Sequence, residues 1–145
     1  MSTIIGLDHG SRRIGVAVGD TDTGMAFARP AIRRRSLASD LDAVEELARA
    51  EGAELVVMGL PLHSDGSEGA QAASARAFGG AVADRGLSVT YEDERLSSWE
   101  AGERLRERGR RPTRESGELD STAACLTLQQ YLEARRRTGS PEEIE

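Results

Sequence analysis

The chain has 145 residues, of which 38% are hydrophobic and 30% charged, and its formal net charge is −6. This length predicts one domain whose core is large enough to fold without disulfides or a structural metal. The single cysteine excludes an intrachain disulfide and a cysteine-rich zinc site. No apolar run approaches the ~20 residues of a membrane helix, and the opening residues lack a signal-peptide pattern. We therefore expect a cytoplasmic protein without a membrane partner.

Charge is unevenly distributed along the chain. The acidic excess argues against a non-specific nucleic-acid binder, because such binding depends on excess positive charge. All 19 basic residues are arginine, which fits a GC-rich genome and is not in itself evidence of phosphate recognition. Their clusters fit either a positive surface beside an acidic site or a set of solvated helix faces. The clusters lie at residues 12–13, 33–35, 104–114 and 135–137.

The first part of the chain predicts three strands joined by hairpins. Residues 3–8 and 13–19 are apolar runs separated by a glycine turn, and a third strand follows within residues 25–35. Pro30 favours an edge position for the third strand, because proline cannot donate a hydrogen bond to a neighbouring strand.

Helices and strands then alternate. Ser39 is the predicted N-cap of a helix that ends at Gly52, and Ser67 is predicted to open an alanine-rich helix. The continuous apolar run at residues 55–59 is typical of a buried parallel strand. The later predicted elements are a helix at 67–84 with a close-packing glycine pair, a strand at 87–91, and helices at 97–109 and 118–135.

This order of elements predicts an α/β fold with a mixed five-stranded sheet. Hairpins give antiparallel neighbours, whereas helical crossovers give parallel ones. The expected arrangement is RNase H-like, with strand order 3-2-1-4-5, strand 2 antiparallel and helices on both faces. We expect residues 1–137 to form this single domain and residues 138–145 to be a frayed acidic tail.

Acidic residues stand at the ends of three predicted elements. Asp8 ends the first strand, where a carboxylate is costly unless it is paired or bound to a cation. Asp93 and Glu94 follow the last strand, and strand alternation does not choose between them because it can change at the turn. Asp120 precedes small residues that would let the last helix approach the sheet. The alternatives are a turn-capping Asp8, a solvated strand end, and an Asp120 that only favours the helix dipole.

Carboxylates from three separate elements form a donor set that suits Mg²⁺ or Mn²⁺. With a phosphodiester substrate, such an ion activates water and stabilises charge on the phosphate oxygens. The basic side chains that we expect to contact phosphates are Arg13, Arg95, Arg110, Arg111 and Arg114.

Six short motifs make the chain resemble the YqgF family, also called RuvX, over nearly its whole length. They are residues 6–10, 13–17, 59–62, 65–67, 93–98 and 120–124. The resemblance implies an RNase H-like fold and divalent-metal nuclease chemistry, with Asp8, the Asp93 and Glu94 pair, and Asp120 as the acidic site. It also implies a role in processing pre-16S rRNA; the family was earlier described as Holliday junction resolvase-like.

The chain departs from the related RuvC resolvases in two places. Those enzymes carry a glutamate at the end of the fourth strand, where this chain has no acid at residues 58–61. They also carry a second acid in the last helix, where this chain has Ala123 and Ala124. The resemblance therefore does not imply a complete two-metal site.

The expected function is a divalent-metal-dependent endonuclease that processes the 5′ end of pre-16S rRNA. Its expected partners are structured RNA, branched DNA and the pre-ribosomal small subunit, for a monomer or a homodimer. One alternative is a Holliday junction resolvase, which requires a two-fold dimer. A second is a non-catalytic RNA-binding assembly factor. An actin-like ATPase fragment fails on size, because such sites lie between two domains.

Overall fold

The computed structural model describes residues 2–94 and 121–138. The predicted helix at 97–109, the loop that follows it and most of the predicted tail lie outside these ranges. Within them, no helix is long and apolar enough to cross a membrane. The elements are β1 (Thr3–His9), β2 (Arg13–Asp20), β3 (Met25–Arg33), α1 (Leu37–Glu51), β4 (Leu55–Leu60), α2 (Ala70–Asp84), β5 (Ser88–Asp93) and α3 (Thr122–Thr138).

The five strands form one sheet in the order β3-β2-β1-β4-β5. The two hairpins make β2 antiparallel to both β1 and β3. The helical crossovers make β4 parallel to β1 and β5 parallel to β4. The predicted strand order and directions are therefore confirmed, and β1 occupies the centre of the sheet.

Each face of the sheet has its own apolar cluster, so helices cover both faces as predicted. On one face, Ile5 and Leu7 of β1 pack with side chains from α1 and α2. On the other face, Ile4 packs with side chains from α3. Gly6 allows the close approach of α3, because a Cβ at this position would lie 3.0 Å from Leu128 Cβ.

The predicted starts of two helices are wrong. Ser36 rather than Ser39 caps α1, and its hydroxyl accepts a hydrogen bond from the Ser39 amide at 3.1 Å. The helix α2 begins at Ala70, because the Ser67 amide and hydroxyl both donate to Asp65 in a turn. Such a turn competes with helix formation for the same backbone groups.

The edge strand β3 is irregular opposite residues 14–16 of β2. Pro30 lies at this irregularity, which agrees with the predicted edge position because proline is tolerated at edges and bulges. The hydroxyl of Ser121 bridges the gap there. It accepts from the Val16 amide at 2.9 Å and donates to the Arg29 carbonyl at 2.5 Å. The start of α3 is thereby fixed to the sheet.

Candidate active site

The candidate active site lies at the carboxyl ends of the parallel strands β1, β4 and β5. These ends meet at one edge of the sheet, where ligands bind in open α/β folds. Asp8 is near the end of β1, and Glu94 directly follows β5. The Glu94 amide donates to the Leu60 carbonyl at the end of β4, at 3.3 Å. The chain thus holds Glu94 beside the neighbouring strand rather than in solvent.

The side chains of Asp8 and Glu94 are in direct contact through a hydrogen bond. Burial raises the pKa of Asp8, and the bond with Glu94 offsets part of this rise. Burial, together with the negative charge and hydrogen bond of Asp8 and the charge of Asp93, raises the pKa of Glu94 to about 8. Two carboxyl groups in contact cannot both ionise without a positive charge between them, so the pair shares a proton or binds a cation.

One oxygen of this pair lacks a partner among the described residues. Glu94 Oε2 is buried and accepts no hydrogen bond there. This oxygen occupies the space beside Gly59, where a Cβ would overlap it. Gly59 belongs to the end of β4. In this chain Glu94 therefore places a carboxylate where a side chain from β4 would otherwise project.

Strand alternation continues through the end of β5. The Glu92 side chain bonds Gln130 of α3, whereas Tyr91 lies against Gly79 of α2. Glu94 therefore shares the α3 side with Glu92 and reaches Asp8. The backbone carbonyl of Asp93 accepts a hydrogen bond from Gln130 Nε2 at 3.2 Å. Of the two acids left open by the sequence, the structure brings Glu94 to Asp8.

A cleft of about 450 Å³ opens beside the acidic pair. The sequence interpretation did not assign site roles to its neutral residues, although His9 adjoins Asp8 in sequence. His9 stacks on Phe78 with 4.8 Å between ring centroids. Its pKa is lowered by burial and by the nearby Arg34. The imidazole is therefore predominantly neutral near pH 7. The lining residues are Asp8, His9, Gly10, Ser11, Arg34, Pro61, Gln71, Ser74 and Glu94.

Not all of the predicted site residues belong to the part of the chain that the structure describes. Asp120, Arg95, Arg110, Arg111 and Arg114 lie outside the described residues. Arg13 is the first residue of β2, is exposed and stands opposite Arg33. It does not line the acidic cleft.

The oxygen atoms of the acidic pair are ligands of the kind that a divalent cation prefers. Asp8 and Glu94 supply hard oxygen ligands, and the unpartnered Glu94 oxygen is a buried acceptor available to a cation. Within residues 2–94 and 121–138, no group of three or more acidic, histidine or cysteine side chains could hold a metal ion. Two protein carboxylates suit a cation that keeps several waters or substrate oxygens in its shell.

Comparisons with known proteins agree with the fold and with the resemblance seen in the sequence. A family model described as "RuvX: Holliday junction resolvase" matches residues 2–134. A Synechococcus elongatus protein named "Putative pre-16S rRNA nuclease" is 43% identical over 146 residues, covering 95% of each chain. A protein of the same name from Anaeromyxobacter sp. (strain K) is 43% identical, covering 90% of this chain and 96% of its own.

Solved structures of low sequence identity share the fold. The RuvC of T. thermophilus in complex with a Holliday junction substrate superimposes with a TM-score of 0.62 at 16% identity. The match covers 96% of this chain and 97% of the RuvC chain. These findings confirm the predicted RNase H-like arrangement and the expectation of a nuclease-family protein. The chain belongs to the RuvX family.

Proposed function

We propose that this chain is a divalent-metal-dependent endonuclease that processes the 5′ end of pre-16S rRNA. The observation that carries the proposal is the buried contact between Asp8 and Glu94, which leaves Glu94 Oε2 without a partner among the described residues. Two adjacent buried acids destabilise a fold unless they share a proton or a cation, and the unpartnered Glu94 oxygen is an acceptor that a cation would use.

Asp8 and Glu94 would hold the ion, which we propose to be Mg²⁺ or Mn²⁺. When bound, such an ion supplies an activated water and stabilises charge on the phosphate oxygens. The protein groups around it orient the substrate. Ser74 and Gln71 offer hydrogen-bond donors on the α2 side of the cleft. His9, adjacent to Asp8, lines the same cleft and can donate or accept one proton.

We propose Asp120 as the third carboxylate of this site. Support comes from Ser121, the next residue, whose hydroxyl is fixed between Val16 and Arg29. Support also comes from Gly6, which allows α3 to approach the same side of β1 that carries Asp8. Because Asp120 directly precedes this anchored point, the start of α3 can deliver its carboxylate to the acidic pair.

The proposed substrate follows from the relatives named as pre-16S rRNA nucleases. Cleavage of branched DNA is the second candidate, favoured by the description of the family model. The predicted phosphate contacts of Arg13, Arg95, Arg110, Arg111 and Arg114 belong to either substrate. A partnership with the pre-ribosomal small subunit belongs to the first alone.

A cleavage time course tests this proposal. Purified protein is incubated with Mn²⁺ and either a precursor rRNA fragment or a synthetic four-way junction, each end-labelled. We expect wild-type protein to cut the rRNA at a discrete position and Asp8→Asn to cut neither substrate. Asp84→Asn is the matched control, because Asp84 is exposed at the far end of α2.

Each other outcome contradicts part of the proposal. Wild-type cleavage rates for Asp8→Asn would exclude the acidic pair as the catalytic centre. If the protein cut only the four-way junction, the assigned substrate would be branched DNA and not pre-16S rRNA. Complementation of a ribosome-processing defect in cells by Asp8→Asn would favour the non-catalytic assembly factor.

A further inference from the structure

A second cleft, lined by arginines, adjoins the acidic one. It has a volume of about 500 Å³ and is lined by Ser11, Arg12, Arg33, Arg34 and Arg35. We call it the arginine groove. It shares Ser11 and Arg34 with the lining of the acidic cleft. The two clefts therefore adjoin each other beside the turn that joins β1 to β2.

Pairing of β2 with the edge strand β3 creates this concentration of charge. In the register of β2 and β3, Arg13 stands directly opposite Arg33. Like charges at directly opposed positions of antiparallel strands destabilise a sheet. The Arg34 amide donates to the Arg12 carbonyl at 2.9 Å, which brings the two arginine segments together beyond the last strand pair. The clustering of residues 12–13 and 33–35 is therefore a consequence of the fold and not of a solvated helix face.

The backbone of the groove is held in place by other residues. The Arg35 amide donates to Asp40 Oδ1 at 3.0 Å, and Asp40 is itself buried in the first turn of α1. The Arg34 side chain donates through Nη1 to the Gly10 carbonyl at 2.9 Å and to the Ser11 carbonyl at 3.2 Å. Arg34 thus fixes the wall between the two clefts.

The other three guanidinium groups are not used in this way. Arg12, Arg33 and Arg35 are exposed, and none of them pairs with a carboxylate in the part of the chain that the structure describes. Unpaired arginines that cluster on a chain of net charge −6 raise the local potential and are relieved by an anion. Arginine also matches the geometry of phosphate oxygens.

We propose that the arginine groove binds the backbone phosphates of the same nucleic-acid strand whose scissile phosphodiester enters the acidic cleft. The inference rests on the proposed nuclease function, and it identifies Arg12, Arg33 and Arg35 as substrate-binding residues beside those predicted from the sequence. The strand crosses the turn between β1 and β2, past Arg34. Contacts to phosphates position the strand without reading its sequence.

The test measures binding without cleavage. Full-length protein is titrated in EDTA against a fluorescein-labelled RNA stem-loop with a single-stranded 5′ extension, over a series of salt concentrations. The triple variant Arg12→Ala/Arg33→Ala/Arg35→Ala should bind roughly 10- to 100-fold more weakly at low salt. The negative slope of log K against log salt should become less steep by about 2, since each lost contact to a single-strand phosphate contributes about −0.7 to it.

Two variants control for charge and for folding. Arg49→Ala removes the same charge as Arg33→Ala, but Arg49 lies near the end of α1 that precedes Gly52, remote from the groove. Arg49→Ala should leave the salt dependence of binding unchanged, whereas Arg33→Ala should make it weaker. Arg33→Lys keeps the charge and should retain most of the affinity. Because the three arginines are exposed, the triple variant should melt at the wild-type temperature or above it.

A wild-type salt slope in the triple variant, or an equal loss of affinity in Arg49→Ala, would overturn the proposed groove. Failure of the nuclease proposal gives a different result. In that case the wild-type protein binds the stem-loop with the predicted arginine dependence but does not cut it when Mn²⁺ is added.

Discussion

Charged side chains are arranged differently on the helical surface and at the site edge, by which we mean the edge of the sheet with the acidic cleft and the arginine groove. On the helical surface, Arg49 pairs with Glu46 at 2.6 Å, and Arg76 of α2 pairs at 2.7 Å with Glu68, which precedes that helix. Arg85 contacts two acids of α1. At the site edge, two carboxyl groups face each other and arginines stand beside arginines. Apart from the pair that Arg34 forms with Asp40 at 3.9 Å, the site edge therefore gathers like charges, whereas the helical surface pairs opposite ones.

This difference indicates function at the site edge. Exposed ion pairs such as those on the helical surface contribute at most about 1 kcal/mol each. Separated clusters of like charge lower stability and persist where a ligand uses them. An acidic cleft that holds a cation and a basic groove that binds phosphates together suit a nucleic-acid substrate. Its cleavage uses the cation, and its backbone phosphates bind basic side chains.

The largest expected effect distinguishes the two acids at the end of β5. We expect Glu94→Gln to reduce Mn²⁺-dependent cleavage about 10³-fold or more, because an ion ligand supplies several kcal/mol of transition-state stabilisation. Asp93→Asn removes a charge of the same sign one residue away and should retain activity within about tenfold, since Asp93 raises the pKa of Glu94 through its charge and is not part of the acidic pair. Single-turnover rates measure both.

The reverse order of these two effects would assign the ligand role to Asp93. Circular dichroism and thermal melting of each variant would show that the fold is retained. Loss of a repelling charge should leave the melting temperature of either variant unchanged or slightly higher.

A smaller effect is expected at Gly59. A Cβ there would overlap Glu94 Oε2, so Gly59→Ala should displace the carboxylate and weaken Mn²⁺ binding by about 10- to 100-fold. Isothermal titration calorimetry measures the affinity. Gly80→Ala is the matched control, because nothing lies within 4 Å of its added methyl group. It should leave Mn²⁺ affinity unchanged and stabilise α2 by about 0.5–1 kcal/mol. Equal Mn²⁺ affinities in the two variants would refute this role of Gly59.

The smallest expected effect is a pH dependence of stability in the metal-free protein. Glu94 has a pKa of about 8 in the folded chain and 4.5 as an isolated group. The folded state binds more protons than the unfolded state between these values, so the free energy of unfolding should fall as pH rises from 4.5 to about 8. Urea unfolding in EDTA at about pH 5 and about pH 8 measures the fall. Glu94→Gln should reduce it, and a decline as steep as in the wild type would contradict the assignment.

Much of the fold could be predicted from local patterns. Alternating and continuous apolar runs identified the strands, and hairpin or helical connections fixed their directions. The helix starts were harder, because several serines near each start can cap it. Ser39 lies within the first turn while Ser36 caps α1, and a turn with Asp65 occupies Ser67. Tertiary structure decides between such local options.

The site could be predicted only as a set of strand ends. Asp8 and the two acids at the end of β5 were identified because parallel strands end at a common edge. The choice of Glu94 needed the alternation to continue beyond β5, which sequence could not establish. The arginine groove needed the register of β2 and β3, since residues 12 and 33 are neighbours only in the folded sheet. The role of Gly59 likewise depends on the position of the Glu94 carboxylate, which lies beside Gly59 only in the folded chain.

Crystals of the wild-type protein soaked in MnCl₂ test the central claim most directly. Anomalous scattering locates manganese independently of the protein coordinates. We predict a peak in contact with both Asp8 and the buried oxygen of Glu94, and its loss in crystals of Glu94→Gln. A fully occupied manganese elsewhere on the chain, with the two carboxyl groups still bonded to each other, would contradict the account.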